Sequence, residues 1–143
     1  MLELSIRSVL EPRKLVLAPP EASVDDAARL MKEAHVGAVL IVEQGRLIGI
    51  FTERDAVYRV LAARRDPLQT PLAEVMTRDP IAVSPDETFG YALLLMHDNG
   101  FRHAPVVENG RPIGIVSTRH ALDPELEEFT AEAERRKSIR RLA

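Results

Sequence analysis

Apolar and polar positions alternate along this chain in a way that predicts one short set of elements, and then predicts the same set again 65 residues later. Residues 15–17 are a short apolar run ended by Pro19-Pro20, which supplies no ladder donor and cannot enter a helix interior, so a brief strand is expected. Ser23 follows, with Asp26 three residues on to complete a capping box, and Val24, Ala27, Ala28 and Met31 fall at i, i+3, i+4 and i+7 on one helical face. Gly37 interrupts this helix. Residues 38–42 are continuously apolar and rich in β-branched side chains, as a strand covered on both faces requires. Residues 43–46 read as a hairpin turn in which Gly45 is free to take positive φ, and residues 47–51 return as the partner strand. Thr52 then opens a second helix, with Ala56, Val57, Val60 and Leu61 at helical spacing.

A polar, proline-punctuated stretch at 64–71 and one helical turn at 72–76 lead to Asp79-Pro80, where the pattern begins again. Its second version predicts a strand at 81–83, a helix through Phe89, Ala92, Leu93, Leu95 and Met96, and a hairpin of 104–107 with 112–116. Laid over one another without a gap, residues 20–57 and 85–122 share 13 identities in 38 positions. The best block sets Val42-Glu43-Gln44-Gly45-Arg46-Leu47-Ile48-Gly49-Ile50 against Val107-Glu108-Asn109-Gly110-Arg111-Pro112-Ile113-Gly114-Ile115. Two copies of 65 residues account for all but 13 of the 143, so the chain is a duplication, and its function is expected where the copies meet.

Outside the duplication, residues 1–7 alternate apolar and charged positions and read as a strand or arm rather than a signal peptide. The copies diverge after Ser117. Asp123-Pro124 predicts a break and the cap of a new helix, whose acidic residues (Glu125 to Glu134) precede its basic ones (Arg135 to Arg141) in the order a helix dipole favours. Leu126 and Phe129 on it are candidate dimer contacts. The expected organisation is therefore an N-terminal arm and first repeat at 1–64, a linker at 65–76, a second repeat at 77–123 and a helical tail at 124–143.

Composition narrows the chemistry. With no Cys there is no disulfide framework, thiolate metal site or cysteine nucleophile, and a cytoplasmic location is the expectation. A net charge of −3 gives no general reason to expect nucleic acid or an anionic membrane as partner. No apolar run approaches the length of a membrane span. Aromatic residues are only 4% of the chain, with no Trp, so the core must be built from aliphatic side chains. The four His residues show no metal-ligand spacing, and no nucleophile elbow, P-loop or zinc-protease motif occurs, so neither a metal site nor an enzyme is expected.

Two asymmetries between the copies are the candidate chemistry. Gly49-Ile50-Phe51-Thr52-Glu53-Arg54-Asp55 places a hydroxyl at a strand-to-helix junction and a carboxylate one turn on, where Asp55 could accept both hydroxyls of a ribose. Thr-x-x-Asp is equally a capping motif that needs no ligand. The second copy keeps a hydroxyl at Ser117 but has His120 where the first has Asp55, so the two junctions cannot be equivalent sites. In the other direction, Val36-Gly37-Ala38 of the first copy becomes Phe101-Arg102-His103 in the second. Arg102 suits a phosphate and Phe101 an aromatic base, while a surface ion pair for Arg102 and a strand-end role for His103 remain the simpler readings.

The phrases Ala27-x-x-Leu30-Met31, Pro105-Val106-Val107, Gly-Arg-x-Ile-Gly-Ile, Thr52-x-x-Asp55 and Val75-Met76-Thr77-Arg78-Asp79-Pro80 together resemble a tandem pair of CBS (cystathionine-β-synthase) domains, a Bateman module, over roughly residues 7–123. The chain is similar to small stand-alone bacterial CBS-pair proteins. The resemblance implies an α/β (α+β) fold of two βαββα repeats packed about a pseudo-twofold axis, with two clefts, and a homodimer. It implies a regulatory adenine nucleotide (AMP, ADP, ATP or NAD) as ligand and no required cofactor. It further implies that Thr52 and Asp55 face Phe101, Arg102, His103 and the strand end around Val83 in one equipped cleft. The other cleft would join Ser117 and His120 to Val36, Gly37 and Ala38, without the carboxylate. The competing expectation is a CBS dimer that engages a protein partner and no nucleotide.

Overall fold

The structure, a computed structural model, describes residues 2–11, 14–119, 135, 136 and 139. In chain order its elements are α1 (Ile6–Val9), β1 (Leu17–Ala18), α2 (Val24–Ala34), β2 (Ala38–Glu43), β3 (Arg46–Thr52) and α3 (Glu53–Asp55), which runs on as a wider π-helical stretch, Ala56–Leu61. Then come α4 (Leu72–Val75), β4 (Thr77–Arg78), α5 (Phe89–Asn99), β5 (His103–Glu108) and β6 (Arg111–Ser117). The fold is mixed α+β, with two repeats.

The two hairpins repeat each other down to their irregularities. Ala38 pairs Thr52 and Glu43 pairs Arg46, with the register shifting between Ile41 and Val42. His103 pairs Ser117 and Glu108 pairs Arg111, with the shift between Val106 and Val107, the equivalent position. The helix starts follow the capping chemistry. Ser23 accepts from the Asp26 N–H at 3.0 Å while the Asp26 carboxylate accepts from the Ser23 N–H at 3.4 Å, a complete capping box on α2.

Four sequence expectations need correction. The strand expected at 81–83 is reduced to one bridge, in which the Val83 N–H donates to Pro105 O and the Val107 N–H donates to Val83 O, both at 2.9 Å. Pro80, Pro85 and Pro105 each lack an N–H, so the ladder has nothing with which to extend. The helix after Thr52 buries only Val60 and part of Ala56, leaving Val57 and Leu61 exposed, because the π-helical winding shifts the face away from 3.6-residue spacing. Ala28 on α2 is exposed, and α2 ends at His35 in the left-handed conformation (φ 54°), two residues before Gly37. His120, the break at Asp123-Pro124 and the dimer contacts Leu126 and Phe129 lie outside the described residues.

Three apolar clusters hold the fold. One, around Val24, Ala27, Val39, Ile41, Phe51 and Val60, belongs to the first repeat. A second, around Val83, Phe89, Ala92, Met96, Val106 and Val116, belongs to the second. The third joins them: Ala38, Leu40 and Ile50 pack on Ile115 across the seam. Burying each such side chain contributes about 1.5–3 kcal/mol.

The repeats are also interlocked at their leading segments, which the sequence pattern did not reveal. The arm packs into the second repeat: Ile6 is fully buried in that cluster, and Ile6 and Arg7 N–H groups donate to Glu87 O (2.8 Å) and Pro85 O (2.9 Å). In return Phe89 and Gly90 N–H groups donate to Leu4 O (2.8 Å) and Leu2 O (2.9 Å). The linker does the same for the first repeat: Leu72 is fully buried there, and Leu72 and Ala73 N–H groups donate to Ala22 O (2.8 Å) and Pro20 O (3.0 Å). The side chains of Leu10 and Met76 then lie over Gly114 and Gly49, where a Cβ would stand 2.5 and 2.4 Å from them, so any larger residue there would have to push these side chains aside. Arg7 reinforces the arm by pairing with Glu108 and with Asp86, and the Glu108 hydrogen bond and charge, more than Asp86, raise its pKa.

Truncating Ile6 should therefore cost as much as truncating Leu72, although one lies in an arm and the other between repeats. Ile6→Ala and Leu72→Ala are each expected to lose about 2–5 kcal/mol in urea unfolding. A loss of a few tenths for Ile6→Ala would show that the arm is not part of the second core.

Candidate functional site

Where the end of β3 meets the start of β5, a cavity of about 930 Å³ opens between the repeats. Thr52, Arg54 and Asp55 form its wall on the first repeat, and Phe101, Arg102 and His103 face them from the second. The structure thus brings together five of the six residues expected in the equipped cleft. Pairing of His103 with Ser117, and the Thr118 N–H donating to Arg102 O at 3.0 Å, set Arg102 at the open end of the second hairpin. Its side chain is exposed and has no ion-pair or hydrogen-bond partner among the described residues.

Asp55 is firmly held. Its Oδ2 accepts from the Thr52 N–H at 2.9 Å and from the Thr52 hydroxyl at 3.2 Å, while its own N–H donates to Thr52 Oγ1 at 3.3 Å. Oδ1 pairs with Arg59 Nε at 3.5 Å, and the side chain is only 12% exposed. Arg59 in turn donates through Nη1 to Met76 O at 2.9 Å and Val75 O at 3.3 Å. The capping role and the cleft position thus coexist in one carboxylate, oriented by an arginine tied to the linker turn.

Val83 does not line the cleft. It is buried in the second repeat's core, since its single bridge to β5 turns it inward. The wall there is made by Thr77, Asp79, Pro80 and Ile81 instead. Asp79 sits in the left-handed region at φ 46°, which Asp tolerates better than most residues, and its N–H donates to Ile48 O at 3.1 Å. The Asp-Pro pair was the available signal for this turn. Arg54 and Tyr58 were also missed: the guanidinium stands 5.3 Å from the ring centroid over an exposed Tyr58, an i, i+4 cation–π pair at the cleft edge.

The second expected cleft is only partly assembled. A shallower cavity of about 520 Å³ is lined by Val36 with Lys32, His35 and Met31. Gly37 and Ala38 are buried and do not line it, and Ser117 is half-buried at the end of β6. Glu53 and Arg119 border both cavities, and Arg119 Nη2 donates to Glu53 Oε1 at 3.2 Å across the repeat boundary.

Two interlocked repeats, each built on a helix followed by a hairpin, with a cleft between them define a paired-repeat module. The chain belongs to the CBS domain family, whose profile matches residues 6–62 and 72–124. It is 39% identical over 98 residues to the CBS domain-containing protein YhcV of Bacillus subtilis, covering 68% of this chain and 69% of that one. An uncharacterised 17.7 kDa protein of Acidianus ambivalens is 38% identical over 114 residues, covering 78% and 68%. Among solved structures, a putative signal-transduction protein with CBS domains from Burkholderia ambifaria superposes with a TM-score of 0.77 at 29% identity, covering 83% of this chain and 91% of that one. The CBS domain pair of protein MJ0100, solved with 5-methylthioadenosine and S-adenosyl-L-methionine, superposes with a TM-score of 0.74 at 25% identity, covering 83% and 97%. No helix among the described residues is long and apolar enough to cross a membrane.

Because the Asp55 carboxylate closes the capping box that Thr52 opens, Asp55→Ala should destabilise the ligand-free protein by about 0.5–1.5 kcal/mol in urea unfolding, the net worth of one such hydrogen bond. An unchanged midpoint would show that the capping box does not form in solution.

Proposed function

We propose that the chain is a non-enzymatic regulatory module that binds an adenosine-containing anion, AMP, ADP, ATP or a dinucleotide of the NAD class, in the 930 Å³ cleft between its repeats. The observation that carries this reading is the convergence of Thr52 and Asp55 from one repeat on Phe101, Arg102 and His103 from the other. Asp55 accepts from the ribose hydroxyls, Arg102, which has no ion-pair partner among the described residues, takes a phosphate oxygen, and Phe101 abuts the base. A ligand bridging two repeats favours whichever packing lets it touch both, and the signal is that differential affinity. The adenosyl compounds bound by the MJ0100 pair support the adenosine part of that ligand.

One observation favours a second reading, an interaction module without nucleotide: both Asp55 oxygens already have partners within the chain. Calorimetric titration of AMP, ATP and NAD separates the two. On the nucleotide reading the wild type binds at least one of them, and Asp55→Ala and Arg102→Ala each weaken it by tenfold or more, since a hydrogen bond to a charged group is worth about 1.5–3 kcal/mol. No binding at millimolar ligand selects the interaction module, and equal binding by wild type and Asp55→Ala overturns the ribose assignment.

We also propose that two copies associate. Tyr91 and Leu94, three residues apart on α5, are 47% and 59% exposed and so lie side by side on one face of that helix. The similar CBS-CP12 protein of bloom-forming cyanobacteria is hexameric. Sedimentation is expected to give a dimer for the wild type and a monomer for Leu94→Glu; a monomeric wild type contradicts the assembly.

A further inference from the structure

Glu53 and Arg119 form the partition between the two cavities, and each lines both. Their ion pair crosses the repeat boundary at 3.2 Å, with side chains 56% and 66% exposed. Room for it comes from Gly37, where a Cβ would stand 2.3 Å from Glu53 Oε1 and 2.9 Å from His103 Nε2. The missing side chain at 37 therefore lets the Glu53 carboxylate lie against the seam near the His103 imidazole. Glu53 is anchored there through its own N–H, which donates to Gly37 O at 3.0 Å.

Consider the charges an anion would meet. Arg102 has no ion-pair partner among the described residues, Arg54 is stacked on Tyr58, and Arg119 is neutralised by Glu53. One phosphate is served by Arg102. A longer polyphosphate reaching the partition gains Arg119 only by displacing Glu53, whose exposed side chain has solvent to turn into. Arg102 and Arg119 stand on the same wall, at the paired ends of β5 and β6.

We propose that Glu53 is a specificity-determining residue that occupies Arg119 in the ligand-free protein and so sets the affinity of the cleft for polyphosphate over monophosphate. This rests on the adenosine-anion reading for the base and ribose, but the polyphosphate step stands on the ion pair alone. Because the same pair borders the second cavity, a polyphosphate that frees Glu53 also changes the charge lining that cavity, and any coupling between the two is reciprocal.

The test titrates inorganic tripolyphosphate, adenosine, AMP and ATP into wild type, Glu53→Gln, Arg119→Gln and the double variant by calorimetry, at low and high salt. Glu53→Gln is expected to bind tripolyphosphate and ATP about twofold to fivefold more tightly than wild type, the range an exposed ion pair spans. AMP and adenosine should change little. Arg119→Gln should weaken tripolyphosphate, the double variant should gain nothing over Arg119→Gln, and high salt should shrink every effect. Equal tripolyphosphate affinity for wild type and Glu53→Gln, or no tripolyphosphate binding by either, overturns the proposal. So does a gain in the double variant equal to that in Glu53→Gln, since Glu53 would then act as a bare charge and not through Arg119. If tripolyphosphate behaves as expected while adenosine, AMP and ATP fail to bind the wild type, the adenine reading falls and the role of Glu53 stands.

Discussion

Each repeat's core is completed by the segment that leads into the other repeat. Ile6 fills the second repeat and Leu72 the first, and each segment is fastened by backbone hydrogen bonds of the same pattern. A strand, helix and hairpin of this size bury too little apolar surface to be stable alone. The exchange couples the two units, and the Leu40, Ile50 and Ile115 contact across the seam then fixes how their hairpins face each other. The cleft is a consequence. Its two walls are the ends of β3 and β5, so its shape depends on the packing that the arm and linker enforce.

That dependence gives the site a mechanical connection to the fold. Asp55 is held by Arg59, and Arg59 is held by the carbonyls of Val75 and Met76 at the end of α4. Anything that engages the Asp55 carboxylate therefore pulls on the linker turn packed into the first repeat's core. Charge is arranged with similar economy: among the described residues Arg102 has no ion pair, whereas Arg119 is matched by Glu53 and Arg54 rests on Tyr58.

Much of this was legible in the sequence where a local rule was strong. The hairpins follow from β-branched runs around Gly45 and Gly110, and the helix starts from Ser23-x-x-Asp26 and Thr52-x-x-Asp55. Asp55, Phe101, Arg102 and His103 stood out because the copies differ there in chemistry while agreeing elsewhere, and Thr52 because it opens the Thr-x-x-Asp phrase. The exchange of arm and linker was not legible, for an arithmetical reason. Ile6, Val9 and Leu10 match Leu72, Val75 and Met76 at an offset of 66, one residue out of step with the 65 that aligns the rest, so a gapless comparison misses them. Val83 was misplaced because an apolar residue in a proline-bounded run does not reveal which way it faces. Tyr58 was missed because it stands outside the apolar face of Ala56, Val57, Val60 and Leu61 that the spacing picks out, and no local rule marks an exposed aromatic as lining a cleft.

The central claim is that one ligand is gripped by both repeats at once. Amide chemical shifts of labelled protein recorded during ATP addition read this most directly. The account predicts that signals of Thr52 to Asp55 and of Phe101 to His103 move together with a single midpoint. Movement confined to one repeat, or two separate midpoints, would contradict it.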